Sequence, residues 1–287
     1  MVPTAPISLC ICTRHRPDDL RRCLQSACEG TVRPEQIVVS DDGDPGQTVD
    51  DVVEAFPDVL YLRGTRQGLS ANRNTCIASS TAPWIQFVDD DVVIPGSFFS
   101  DAMAALAAKI GGPREILAGT QWDIRGDHST QMFPGNADFW GFQRVVPTSD
   151  DYRSIVINAT LFPRRLFEEA KFDPRLRYGC DEIDIARHAV ALGYRIHFDP
   201  TLQVHHYPAP ANRSEYAKLV DASRLYAAGK AHWVYERSWP RTFAYLVLAP
   251  PREVLANAKR RGWKGAVGAV RSLGLATRYA VLTLRGQ

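Results

Sequence analysis

The N-terminal third of the chain repeats one pattern: an apolar run of strand length, a polar turn, then apolar residues at helical spacing. The runs are Ile7–Cys12, Gln36–Ser40, Val59–Leu62 and Trp84–Val88. Leu20, Cys23, Leu24 and Ala27 recur at helical spacing after the first. Pro17 suits the opening turn of that helix, and Asp18 and Asp19 sit near its positive end. Helices are also predicted over Val49–Phe56 and Ser70–Ser79. Such alternation dictates right-handed βαβ units and a mainly parallel sheet. Ligands of such sheets bind beyond the carboxyl ends of the strands. Thr13-Arg14, Asp41-Asp42 and Asp89-Asp90-Asp91 fall at those ends, so the pattern already points to a site.

After Pro95 the pattern changes. Ser97–Ile110 is Ala-rich and predicted helical, and residues 111–150 read as strands joined by long loops. Ile155–Ile157 and Ala159–Phe162 are strand-like, Asp184–Leu192 is an amphipathic helix stopped by Gly193, and Tyr194–Phe198 is a further strand. Beyond about residue 215 the chain reads as helices.

Charge is distributed unevenly. Residues 241–287 carry nine Lys/Arg and one Glu, a formal +8, while residues 1–240 carry −6. A basic tail on an acidic body predicts an anionic partner. The densest apolar stretch there, Phe243–Ala249, is far short of the about 20 residues a membrane span needs. The first residues show no basic start followed by an apolar run, so no signal peptide is expected. The six cysteines contain no C-x-x-C pair and read as buried free thiols of a reducing compartment.

Several clusters carry chemistry. Three adjacent carboxylates, Asp89-Asp90-Asp91, repel one another unless a positive charge sits among them. A divalent cation bound to a diphosphate would supply it; a solvated acidic turn is the plainer account. Asp41 and Asp42 could accept hydrogen bonds from a nucleoside base or ribose, or simply shape a turn with Gly43. Gly68-Leu69-Ser70-Ala71-Asn72-Arg73 opens a helix whose free N–H groups and Arg73 suit an anion, though Ser70 could merely cap it. Asp181 and Asp184 could cap a later helix, but Glu182 is superfluous to a cap and could act as a general base. His205 and His206 are adjacent in an extended run, so in a regular strand they face opposite ways and both cannot readily join one metal; an ordinary packed or exposed histidine is the plainer account.

In this order the motifs resemble the family 2 inverting glycosyltransferases. The resemblance runs over about residues 6–207: Thr13-Arg14-His15-Arg16, Val39-Ser40-Asp41-Asp42-Gly43, Gly68 to Asn74, Phe87-Val88-Asp89-Asp90-Asp91, Asn158 to Arg165, Phe172 to Leu176, Asp181-Glu182-Ile183-Asp184 and His205-His206. It implies an α/β GT-A fold, a Rossmann-like mixed sheet flanked by helices, with a basic helical C-terminal extension. It divides the chain into a nucleotide-sugar half (1–95), an acceptor and catalytic half (96–215) and the extension (216–287).

Residue by residue, the resemblance implies that Thr13, Arg14, Asp41, Asp42, Arg73, Asp89 and Asp90 serve the nucleotide-sugar. Asp89 and Asp91 match the ends of the D-x-D motif. Asp91, Asp89 and His205, or else His206, would hold Mn²⁺ or Mg²⁺. Glu182 or Asp181 is the base, because the family's usual Glu-Asp order is reversed here. Trp122, Phe139, Trp140 and Tyr178 are candidate sugar-stacking surfaces or ordinary packing.

The expected reaction moves a sugar from a UDP- or dTDP-sugar to a hydroxyl of a glycan or lipid-linked acceptor. The expected setting is the cytoplasmic face of the plasma membrane, with the tail on anionic lipid. No base-reading module is evident, so nucleic acid is not an expected partner. A sugar-phosphate nucleotidyltransferase is the rival enzyme, but its glycine-rich loop after the first strand is absent. A non-catalytic nucleotide- or sugar-binding protein is the rival of another class.

Overall fold

The first strand, β1 (Thr4–Thr13), is buried on both faces, which places it inside the sheet. Ile7, Leu9 and Ile11 enter one apolar layer, and Cys10 and Cys12 the other, as a side-chain period of two requires. The structure is a computed structural model that describes residues 2–47, 49–109, 112–145, 151–208 and 213–285. Ile110 of the expected helix, and Gly111 and residues 146–150 of the expected strand-and-loop region, lie outside the described residues.

Three overlapping βαβ units start the fold. β1 is followed by α1 (Pro17–Cys28), β2 (Arg33–Asp41), α2 (Asp50–Val53), β3 (Val59–Arg63), α3 (Leu69–Ser79) and β4 (Trp84–Asp89). β3, β2, β1 and β4 lie side by side and parallel. Next come β5 (Val92–Val93), α4 (Phe98–Lys109), β6 (Glu115–Arg125), β7 (His128–Met132) and a separate hairpin of β8 (Gly135–Ala137) and β9 (Gln143–Val145). β10 (Thr160–Pro163), α5 (Leu166–Glu169), α6 (Asp181–Ala191) and β11 (Arg195–His206) complete the α/β body. The sheet order is β3-β2-β1-β4-β10-β6-β11-β5, with β7 on β6. β10 runs antiparallel to both β4 and β6, so the sheet is mixed and mostly parallel.

One core layer packs Leu20, Cys23, Leu24 and Ala27 of α1 and Phe98 and Phe99 of α4 against the sheet. These α1 residues are the ones its helical spacing selected. The other layer centres on Phe87, whose ring meets Phe162, Phe167 and Phe172 edge-on at 5.9, 5.6 and 5.1 Å. Each such pair adds about 0.5–1.5 kcal/mol beyond its burial. All six cysteines are free.

Three elements differ from the sequence expectation. The helix expected over Val49–Phe56 shrinks to α2, because Pro57 disfavours helical geometry at Phe56. Ile155–Ile157 is not a strand. Ile157–Ala159 is a 3₁₀ turn before β10, closed by the Thr160 hydroxyl on Val156 O at 2.7 Å. The expected strand Tyr194–Phe198 and the run Thr201–Val204 are one strand, β11, whose pairing with β6 slips between Phe198 and Gln203.

The C-terminal extension is α7 (Arg213–Lys230), a π-helical turn (Ala231–Tyr235) and α8 (Trp239–Leu284), kinked at Gly262. α8 folds back on α7: Ala276 and Tyr279 join Ala222, Leu225 and Tyr226 beneath Leu176. No helix among the described residues is long and apolar enough to cross a membrane.

The start of α3 depends on glycine. Gly68 has φ 103° and ψ 178°, a region open essentially to glycine alone. A Cβ there would lie 2.7 Å from Arg177 O. Ser70 does not cap this helix; its hydroxyl donates to Leu176 O at 2.7 Å. Gly68→Ala should therefore cost about 1–3 kcal/mol, read as a lower urea midpoint at unchanged slope.

Candidate active site

The polar ends of β1 and β4, the start of α3 and the start of α6 meet at one place. Thr13, the last residue of β1, donates to Asp90 Oδ2 at 2.8 Å. Arg16, in the turn after it, reaches Asp90 Oδ1 at 3.1 Å and Asp91 Oδ2 at 3.0 Å. Arg73 of α3 is buried and bridges two elements. It donates to Asp89 Oδ1 at 3.0 Å and to Asp181 of α6, with its guanidinium over the Phe172 ring. His206, at the end of β11, places Nε2 3.1 Å from Asp91 Oδ1 and Nδ1 2.8 Å from Asp123 Oδ1. The three carboxylates are thus compensated by Arg16, Arg73 and His206, the positive charges that their adjacency demanded.

His205 does not join this group. The strand alternates faces, and it is His206 that turns toward Asp91. Asp89, Asp91 and His206 offer three ligand atoms within 4.8 Å of one another. A divalent cation fits this set. Asp91 Oδ1 is buried with His206 Nε2 beside it at 3.1 Å, and two carboxylates plus an imidazole suit Mn²⁺-like ions, with Mg²⁺ favouring the oxygens.

Two carboxyl groups are held near neutrality. Burial pushes Asp90 up to about 7, Arg16 and Thr13 opposing. Burial and the neighbouring Asp181 charge push Glu182 up to about 7. Burial also raises Asp181, against the pull of Arg73. Asp91 moves the other way despite burial, because His206 and Arg16 stabilise its charge. His206 in turn rises to about 9: burial opposes this, and Asp91 and Asp123 outweigh it.

The start of α6 is no simple cap. Its N-cap residue, Cys180, is left-handed (φ 63°) and makes no side-chain cap bond. Asp181 is taken up by Arg73. Asp184 accepts from Lys230 Nζ at 2.8 Å and from the Tyr235 hydroxyl at 3.0 Å. Glu182, half-buried between them, is the acid this network leaves over.

Other expected residues sit apart from this cluster or are already engaged. Arg14 is exposed and lies 3.7 Å from Asp44. Asp41 accepts from Gly43 N, the Tyr61 hydroxyl and Arg63 at 2.8, 2.9 and 3.2 Å. Asp42 accepts from the backbone N–H groups of Arg66 and Gly68 at 2.6 and 3.0 Å, and so shapes the entry to α3. Phe139 and Trp140 are packing: they meet Tyr245 of α8. Trp122 donates to Gln203 Oε1 at 3.0 Å. Tyr178 is exposed, stacks on Tyr216 at 4.5 Å, and burial with the Asp89 charge raises its hydroxyl pKa.

Three participants were not singled out from the sequence. Arg16 stands three residues after Thr13 in the quoted Thr13–Arg16 motif. Asn158 accepts from Asp89 N at 2.8 Å and donates to Gln121 Oε1 at 2.8 Å. Asp123 is met only through strand pairing and left no local signal.

The family model for glycosyl transferase family 2 matches residues 8–169. The chain belongs to that family. It is a glycosyltransferase of the GT-A fold, which sets aside the nucleotidyltransferase and the non-catalytic binding protein. It is 28% identical to the succinoglycan biosynthesis protein ExoM of Rhizobium meliloti (strain 1021), over 80% of this chain and 74% of that one. It is 28% identical to the glycosyltransferase GlyA of Streptococcus pneumoniae serotype 4 over 54% of this chain, spanning 24% of GlyA. Among solved structures, GalNAc-T7 with UDP, GalNAc and Mn²⁺ superposes with TM-score 0.61 at 15% identity, over 78% of this chain and 47% of that one. S. aureus TarS 1–349 with UDP superposes with TM-score 0.56 at 14% identity, over 98% and 92%.

Two outcomes test this geometry. In a thermal-shift titration with Mn²⁺ alone, His206→Ala and Asp91→Asn should abolish the metal-induced rise in Tm, and His205→Ala should retain it. Lys230→Met removes the cation shared by two buried carboxylates, Asp173 and Asp184, and should cost about 3–5 kcal/mol in urea unfolding.

Proposed function

We propose that this glycosyltransferase moves a sugar from a UDP- or dTDP-sugar to a hydroxyl of a glycan or lipid-linked acceptor, with inversion at the anomeric carbon. The observation that carries the mechanism is the division of labour at α6: Asp181 is consumed by Arg73, and Glu182 remains with its pKa near 7. A general base tuned to the working pH is most effective there.

In this reading Glu182 takes the acceptor hydroxyl proton as that oxygen forms its bond to the anomeric carbon. The bond from that carbon to the diphosphate breaks on the opposite face, and its electron pair leaves with the diphosphate. Asp89, Asp91 and His206 would hold Mn²⁺ or Mg²⁺, which supplies charge stabilisation for the diphosphate. Arg16 and Arg73 add positive charge on the same side. Asp41 and Asp42 line the base and ribose end, and Tyr178 offers a stacking face to the acceptor. Residues 1–95 serve the donor and 96–215 the acceptor.

The UDP in the GalNAc-T7 and TarS structures, and the Mn²⁺ in the former, support the donor and metal reading. The likeness to a succinoglycan biosynthesis protein supports a glycan acceptor. We place the enzyme at the cytoplasmic face of the plasma membrane, on the strength of its basic C-terminal extension.

Release of nucleoside diphosphate from a panel of sugar donors, with product analysis, tests the reaction. Activity should vanish in excess chelator and return with Mn²⁺ or Mg²⁺. Glu182→Gln should slow transfer by at least ~10²-fold while nucleotide binding stays intact. The wild-type rate should rise with pH through about 7 as Glu182 loses its proton, and Glu182→Gln should lose that limb. An active Glu182→Gln beside a dead Asp181→Asn would move the base to Asp181.

A further inference from the structure

The described residues leave few large apolar side chains exposed on the α/β body, and more than half of those that are exposed lie on α8. Its helical faces separate cleanly. Tyr245, Ala249 and Glu253, four residues apart, form the buried face. Trp239, Phe243, Leu246 and Val247 lie along another face at 73, 71, 66 and 53% exposure, with the i, i+4, i+7, i+8 spacing of a continuous stripe. This stripe runs toward a basic cluster, Lys259, Arg260, Arg261 and Lys264, all exposed, with Trp263 at 79% exposure among them. Glu253 is the sole acid between residues 239 and 264. It is buried against Arg224 at 2.8 Å, so the outer face carries no negative charge.

Beyond the kink at Gly262, Tyr279 is buried and Leu273 and Leu275 lie against the α7 core, while Val270, Val281 and Leu284 stay exposed. The continuous stripe from Trp239 to Val247 lies in the first half of α8, before the kink at Gly262.

We propose that residues 239–264 form the docking element for an anionic lipid bilayer, with Trp239, Phe243, Leu246 and Val247 entering the headgroup region and the basic cluster meeting lipid phosphates. The inference rests on the membrane location proposed above and names the surface responsible. An apolar stripe beside a basic cluster is the pattern of a helix lying in a bilayer interface. A second copy of the chain is a poorer occupant, because an isologous contact through this face offers the basic cluster no exposed acid to meet.

Co-sedimentation of the full chain with vesicles tests the proposal. The wild-type protein should bind vesicles of phosphatidylglycerol and phosphatidylcholine in equal parts, weaken with added salt, and bind pure phosphatidylcholine far less. Phe243→Ser with Leu246→Ser should reduce binding to the anionic vesicles by at least about tenfold. Lys259→Gln with Arg261→Gln and Lys264→Gln should do the same at moderate salt. All these side chains are exposed, so Tm and nucleoside diphosphate binding should not change. Wild-type binding that survives both sets of substitutions would overturn this surface and leave the membrane location standing. No wild-type binding to anionic vesicles would overturn both. A wild-type dimer in the absence of lipid, made monomeric by the serine pair in a protein that ignores vesicles, would assign the stripe to a second copy and overturn the proposal.

Discussion

The guanidinium of Arg73 is the joint on which the site depends. It is buried at the start of α3, and it ties Asp89 at the end of β4 to Asp181 at the start of α6. These elements come from distant parts of the chain, and the ion pair brings them together. A buried cation with one carboxylate removed costs about 3–5 kcal/mol, so the arrangement tolerates little change. It also decides which acid is spoken for. Once Asp181 is paired, its charge and the surrounding burial push Glu182 toward neutrality, so one residue's structural role prepares the next one's chemistry. The glycine at 68 belongs to the same device, since the chain must pass beside Arg177 to start α3 where Arg73 can reach.

Around this joint the acidic triplet is balanced before any donor arrives. Arg16 shares itself between Asp90 and Asp91, His206 leans on Asp91 and Asp123, and Asp90 is held near its protonated form. A cation entering between Asp89 and Asp91 competes with Arg16 and with the proton on His206 for the same oxygens. Three carboxylates in a row therefore say less about a metal than their charge count suggests. The convergence of ligand atoms from Asp89, Asp91 and His206 within 4.8 Å of one another says more.

The centre of the sheet was readable because β1, β4 and the second half of β2 are largely buried on both faces and so are almost continuously apolar, with turns marked by Pro, Gly and Asp. The convergence of Thr13 and the Asp89–Asp91 triplet followed from that, since parallel strands end on one side. What could not be read needed contacts between segments distant in sequence. Asp123 and Asn158 meet the site through the pairing and packing of β6 and β10, which no local period encodes. The selection of His206 over His205 turns on the register of β11 against β5 and β6, and a slip of one residue would reverse it. Phe139 and Trp140 looked like sugar platforms because aromatic residues in a loop carry no record of their partner; here the partner is Tyr245, more than a hundred residues away.

The same long-range packing makes the C-terminal extension part of the catalytic body. Lys230 of α7 holds Asp184 on α6 and Asp173 beside Phe172. The Tyr226 hydroxyl lies between Asp173 and the Thr283 hydroxyl near the end of α8, at 2.6 and 2.7 Å. Burial opposes the charge on Asp173, yet Lys230 and Arg175 hold its carboxyl well below the usual range, so this junction stays ionised through the physiological range. The helix that carries Glu182 is therefore fixed from two directions, by Arg73 at its start and by Lys230 one turn on. The helices of the extension thus fix the start of α6, and the orientation of the exposed apolar and basic surface of α8 relative to Glu182 is built into the fold.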